Sequence, residues 1–142
     1  MSIEALRSAL AAEHAAIFGY GVVGAYVSGA ARDSARQAET AHRDRRDQVA
    51  LRIEAAGGAI VGAQGSYALP FPVNDASSAV RLAAQLEEGT AGAWREALSG
   101  TTGEDRALAL DALIACAVQA TRWRKAAGIS PTTVTFPGGA TA

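Results

Sequence analysis

The spacing of the breaks in this chain constrains its fold more than any other feature. Four stretches of helical periodicity are separated by a short break, a long break and a short break. The first, roughly residues 2–28, repeats Leu6, Leu10, Glu13, Ile17, Tyr20, Gly24 and Val27 at alternating steps of four and three. That rhythm keeps one side of a helix turned toward its neighbours. Ser28-Gly29 interrupts it. A second stretch over about 31–56 carries Ala35, Glu39, His42, Arg46, Val49, Ile53 and Ala56 in the same rhythm, and Gly57-Gly58 closes it.

Residues 57–74 lose the pattern and hold glycine and proline instead. A third helix is expected over 75–98, with Asn74, Asp75 and Ser77 as N-cap candidates. Its seam is Val80, Ala83, Glu87, Thr90, Trp94 and Ala97, with Leu82, Leu86, Gly89 and Ala93 beside it. Ser99 to Gly103 makes a short turn. The fourth helix is expected over 104–127, with Leu110, Leu113, Ile114, Ala117 and Val118 as its apolar face and Gly128 as its stop.

The long break is too long for a hairpin between helices. Extended, its 18 residues reach more than about 50 Å, whereas a 25-residue helix is about 38 Å long. Helices 2 and 3 can therefore run parallel as neighbours, joined by a crossover. An all-α four-helix bundle with one long crossover is the ferritin-like topology. The bundle is expected over 1–128. Residues 129–142 form an extended or disordered tail whose Val134 and Phe136 could dock on a partner subunit.

Composition agrees with close-packed helices. Alanine fills 35 of 142 positions, and alanine is the best helix former because it gives up no side-chain entropy. The net charge of −1 argues against a non-specific nucleic-acid binder, which needs a basic excess. The single cysteine, Cys116, cannot close an internal disulfide. Met1 to Glu13 is charged and lacks an apolar run, so a secretory leader is not expected and a cytoplasmic location is. Ala15 to Ala31 is free of charge, but it is short for a membrane span and holds four glycines. It reads as a buried core helix.

The chemistry of the seams lies in their charged members, because a carboxylate on a buried stripe needs a partner. In ferritin-like di-metal proteins two helices each supply one Glu and the other two each supply Glu-x-x-His. Positions i and i+3 share a helix face, so carboxylate and imidazole converge on one ion. Three helices here fit that plan: Glu13 on helix 1, Glu39 and His42 on helix 2, Glu87 on helix 3. These four are the candidate metal ligands, with iron or manganese as the ion a completed site would take. Helix 4 departs from the plan. Its nearest match, Asp111-Ala112-Leu113-Ile114, has isoleucine where the histidine belongs. Cys116 and Gln119 are weak substitutes. An incomplete site, with no resident metal cofactor and no catalytic residue, is the expectation. Glu13, Glu39, His42 and Glu87 would then form a buried polar cluster with Arg46, or partly face solvent.

Other signals carry less. Gly19-Tyr20-Gly21-Val22-Val23-Gly24 spells G-x-G-x-x-G, but a dinucleotide cradle needs a strand before it and a helix start after it. These glycines fall inside a helical heptad, where small residues admit a close neighbour. His14 points about 100° away from Glu13 and reads as a satisfied or half-exposed histidine. Trp94 and Trp123 read as core or interface anchors. Cys116 lies in an apolar run and is expected to be inert.

The segments Glu13-His14-Ala-Ala-Ile-Phe-Gly-Tyr-Gly-Val-Val-Gly, His42-Arg-Asp-Arg-Arg-Asp and Ala120-Thr-Arg-Trp-Arg resemble a small actinobacterial family of ferritin-like domains of unknown function. The resemblance spans about residues 4–127. It implies the bundle fold and a homodimer, and no established activity. Three functions follow as expectations: a non-catalytic structural or interaction module with an incomplete metal site; a divergent metal-binding carboxylate protein; or a binder of a small apolar ligand, with residues 57–74 as its lid.

Overall fold

The computed structural model of the chain describes residues 2–139. It contains four helices and, among the described residues, no strand. They are α1 (Ser2–Tyr26), α2 (Gly29–Ala55), α3 (Ala76–Ser99) and α4 (Gly103–Ala127). The boundaries fall within three residues of those expected. The start of α3 and the end of α4 have clear local causes. Asp75 caps α3: its carboxylate accepts from the Ser78 amide at 2.7 Å, and Ser78 Oγ accepts from the Asp75 amide at 3.2 Å. This reciprocal pair satisfies two amides that the first helical turn would leave bare. Gly128 ends α4 at φ +70°, a left-handed conformation that favours glycine.

The order around the bundle follows from which helices touch. α1 packs on α2 and α3; α4 packs heavily on α3 and lightly on α2. So α2 and α3 lie on a diagonal rather than side by side, which corrects the expectation that they are neighbours. Their parallel direction is as expected. One core cluster joins Leu6 and Leu10 of α1, Val49 and Ile53 of α2, Trp94 and Ala97 of α3, and Ala109 and Ala112 of α4. The other joins Tyr20 and Val23, Ala35 and Ala38, Ala79 and Leu82, and Trp123. Hence the start of α1 lies at the same end as the end of α2, the end of α3 and the start of α4. The helices run up, down, down, up, and residues 56–75 return the chain along the bundle.

That crossover is seated rather than loose. Leu69, Phe71 and Val73 pack against the second cluster, and Val61 packs against the first. His14 Nε2 donates to the Val61 carbonyl at 2.8 Å, and the Phe18 and Tyr67 rings lie 5.5 Å apart. The space beneath Leu69 and Phe71 is thus filled by core, which removes the reason for reading this segment as a lid over a ligand.

Three details of the bundle bear on the expectations. Of the glycines in α1, only Gly19 sits close to a neighbour, the Leu86 side chain of α3; Gly21 and Gly24 face open space. The tail of residues 128–139 is irregular but laid back on the bundle. Arg124 Nε donates to the Pro131 carbonyl at 2.8 Å, and Gly138 approaches Ala91 of α3 too closely to admit a side chain. Residues 140–142 lie outside the described part. Finally, the face of α4 that enters the core is Ala109, Ala112, Cys116, Ala120 and Trp123, whereas Leu110, Ile114 and Val118 are exposed. Of the expected apolar face of α4, Leu113 packs against the core and Ala117 is half-buried, while Leu110, Ile114 and Val118 turn outward.

Candidate functional site

Between the two apolar clusters the core turns polar. Glu13, His42 and Glu87 are each no more than 1 % exposed, at the middle of three different helices. His42 lies between the two carboxylates. Its Nδ1 donates to Glu13 Oε2 at 2.5 Å, and its Nε2 donates to Glu87 Oε2 at 2.9 Å and Oε1 at 3.1 Å. Both ring nitrogens face carboxylate oxygens, which accept when ionised, and together these contacts call for the doubly protonated imidazolium; Arg45 Nη1 also lies 3.3 Å from Nδ1.

Further donors surround the two acids. Glu13 Oε1 accepts from Trp94 Nε1 at 2.8 Å and from Arg45 at 3.0 Å. Glu87 Oε2 accepts a short hydrogen bond from the Tyr20 hydroxyl, and that hydroxyl in turn accepts from Trp123 Nε1 at 2.8 Å. Arg45 also reaches Cys116 Sγ at 3.6 Å. Among the described residues, no buried side-chain nitrogen or oxygen lacks a partner. Two carboxylates are therefore matched by one imidazolium and one guanidinium, and the core carries no net charge.

The electrostatics follow. Burial alone would lower the His42 pKa, but hydrogen bonds to Glu13 and Glu87 and the charge of both acids raise it to about 9. Burial alone would raise the Glu13 pKa; the His42 hydrogen bond and the charges of His42 and Arg45 instead hold it below its ordinary value. Burial, the Glu87 charge and the Glu87 hydrogen bond push the Tyr20 hydroxyl well up. Burial and the Glu87 charge raise the Cys116 thiol, so it stays protonated and is a poor nucleophile.

Three of the four candidate ligands thus meet, and Glu39 does not. Its side chain is 31 % exposed and pairs with Arg43 at 3.7 Å. Arg46, expected in the cluster, pairs with Asp47 at 2.9 Å, and Arg45 takes its place inside. Both differences share a cause. The buried side of α2 runs Ala35, Ala38, His42, Val49, Ile53, and Arg45 lies along it. At about 100° per residue this stripe is centred on His42, with Ala38 and Arg45 on one flank, the one turned into the core, and Glu39 and Arg46 on the other. The alternation of four and three alone cannot choose between i−3 and i−4 around His42.

On α4, Asp111 and Ile114 point outward, so the partial motif there is not aimed at the site at all. The α4 residue that does reach it is Cys116. Its sulfur and one donor atom each of His42 and Glu87 lie within 4.8 Å of one another. The signal for Cys116 is its place in the alanine stripe 109, 112, 116, 120 and its level opposite Glu87.

Comparison with known proteins places this bundle. A family model described as a domain of unknown function, DUF4439, matches residues 5–141. The chain belongs to the DUF4439 family. Among solved structures, the chain is similar to a conserved hypothetical protein, rv2844, from Mycobacterium tuberculosis. The two share 40 % identity with a TM-score of 0.85, over 88 % of this chain and 96 % of that one. No curated protein matches. No described helix of this DUF4439 chain is long and apolar enough to cross a membrane.

Proposed function

We propose that this chain is a ferritin-like bundle in which the protein's own cations stand where metal ions would, and that it serves as a structural or interaction module rather than a metal oxidase. The observation that carries this reading is His42, held between Glu13 and Glu87 with both ring nitrogens engaged. The up-down-down-up order with one long crossover, and the single buried Glu at mid-length of α1 and of α3, support the ferritin-like part.

The donor set does not suit a di-metal centre. Bridging carboxylates must offer free lone pairs to two cations. Here those of Glu13 are engaged by Trp94, Arg45 and His42, and those of Glu87 by Tyr20 and His42. Arg45 brings a permanent positive charge to the spot. α4 offers a protonated thiol in place of a Glu and a His.

One observation favours a second reading: His42, Glu87 and Cys116 are close enough to share a single ion, of the zinc type by their chemistry. That ion would have to remove protons from Cys116 and from His42 and compete with Arg45. Elemental analysis of the purified protein separates the two. We expect iron, manganese and zinc each well below one per chain after dialysis against chelator. A stoichiometric metal that survives chelation and disappears in His42→Ala would overturn the first reading.

A further inference from the structure

The most apolar stripe of α4 is not used by the fold. Leu110, Ile114 and Val118 are 46 %, 54 % and 45 % exposed. They stand at i, i+4 and i+8, so they form one strip along the helix rather than scattered surface residues. Val134 of the tail, 41 % exposed, flanks the strip, and a groove of about 420 Å³ lies between that tail, α3 and α4. α4 packs inward through three alanines, Cys116 and Trp123 instead.

The charges beside the strip fit a second copy of the same helix. Counted at about 100° per residue from Ile114, Asp111 lies about 60° round and Arg122 about 80° round in the same sense. The midpoint of Ile114 and Val118 is position 116. Asp111 lies about 7.5 Å from it toward one end, and Arg122 about 9 Å toward the other. A two-fold axis at that midpoint, perpendicular to two antiparallel α4 helices, exchanges ends and keeps flanks. It sets Asp111 against Arg122 of the second copy, and Arg122 against Asp111 of the second copy. Ile114 then meets Val118 of the second copy, and Leu110 of the second copy falls on the flank that borders the groove. Among the described residues neither Asp111 nor Arg122 makes an ion pair within the chain, and Arg122 donates to Gln119 Oε1 at 3.2 Å. Both are exposed and available.

We propose that two copies of this chain associate through antiparallel α4 helices, with Leu110, Ile114 and Val118 as the apolar strip and two symmetric Asp111–Arg122 pairs setting direction and register. This deepens the reading of the chain as an interaction module. It does not depend on whether the core holds metal, so the elemental analysis and the following experiment fail separately.

The full chain is examined by sedimentation equilibrium at micromolar concentration. The native protein should be a dimer. Ile114→Asp should be a monomer with unchanged helix content, because Ile114 is exposed. Asp111→Arg alone sets Arg against Arg, and Arg122→Asp alone sets Asp against Asp. Each should dissociate at least about tenfold more readily, as lost surface pairs and new like-charge contacts add up over two symmetric sites. An equimolar mixture of these two variants should recover dimer as the mixed species, since every pair in it is again opposite in charge. A native monomer at all concentrations overturns the proposal and leaves the strip to a different partner. A dimer indifferent to Ile114→Asp, or a charge-variant mixture that stays dissociated, also overturns it.

Discussion

His42→Ala is expected to destabilise the bundle by about 3–5 kcal/mol, the range for breaking a buried ion pair by removing one partner. Removing the ring takes the cation from between Glu13 and Glu87 and leaves two carboxylates facing a void about the size of an imidazole. Arg45 offsets part of the charge on Glu13. Glu87 keeps only the Tyr20 hydroxyl and the weakly donating Cys116 thiol. A domain of this size has a stability of about 5–15 kcal/mol, so the variant would lie near its unfolding threshold. Denaturant unfolding of native and variant protein measures the loss. Adding Glu87→Gln to His42→Ala should restore part of it, because the double variant buries one charge fewer. A loss under about 1 kcal/mol, with no coupling to Glu87, would mean that His42 carries no charge in the fold.

The second large effect is on pH dependence. The folded His42 pKa of about 9 lies above its ordinary value of 6.5. A group with a raised folded pKa stabilises the fold fully below its unfolded pKa, and that contribution disappears as pH rises through the folded one. Stability should thus decline between about pH 6.5 and pH 9, by about 3 kcal/mol in all. Glu13 has the opposite sign. Its folded pKa is lowered, so its contribution is present above the ordinary carboxylate range and is lost on acidification below it. The stability maximum is expected between about pH 5 and 6.5. Thermal unfolding across pH 4–10 tests this. In His42→Ala the decline on the alkaline side should flatten. A profile level from pH 6 to 10 in the native protein would contradict the assignment.

The polar core is partly legible in the amino-acid sequence. Glu13 and Glu87 each interrupt an apolar seam of long, regular helices, and a charge in such a place announces a partner. His42 does the same on α2. What the spacing cannot resolve is helical phase within a turn. Glu39 and Ala38 both precede His42 by about one turn, as Arg45 and Arg46 both follow it, and only packing against α1 decides which of each pair turns inward. Here Ala38 and Arg45 do. On α4 the difficulty is of another kind. Hydrophobicity points to Leu110, Ile114 and Val118, whereas close approach to α3 favours the smaller Ala109, Ala112 and Ala120. In a chain so rich in alanine, side-chain size decides the inner face and leaves the bulkier residues outside. The crossover between α2 and α3 is legible from its length alone. The diagonal placement of those helices is not, because an 18-residue connection reaches a neighbour and a diagonal partner equally well.

The central claim is that a protonated histidine stands at the heart of the bundle in place of a metal. Nitrogen NMR of protein labelled with ¹⁵N-histidine tests it most directly, since both ring nitrogens report their protonation. His14, bonded only to the Val61 carbonyl, serves as an internal comparison. The account predicts that at pH 7 His42 shows both nitrogens protonated, and that it titrates near pH 9. A neutral His42 at pH 7, with one bare ring nitrogen, would contradict it.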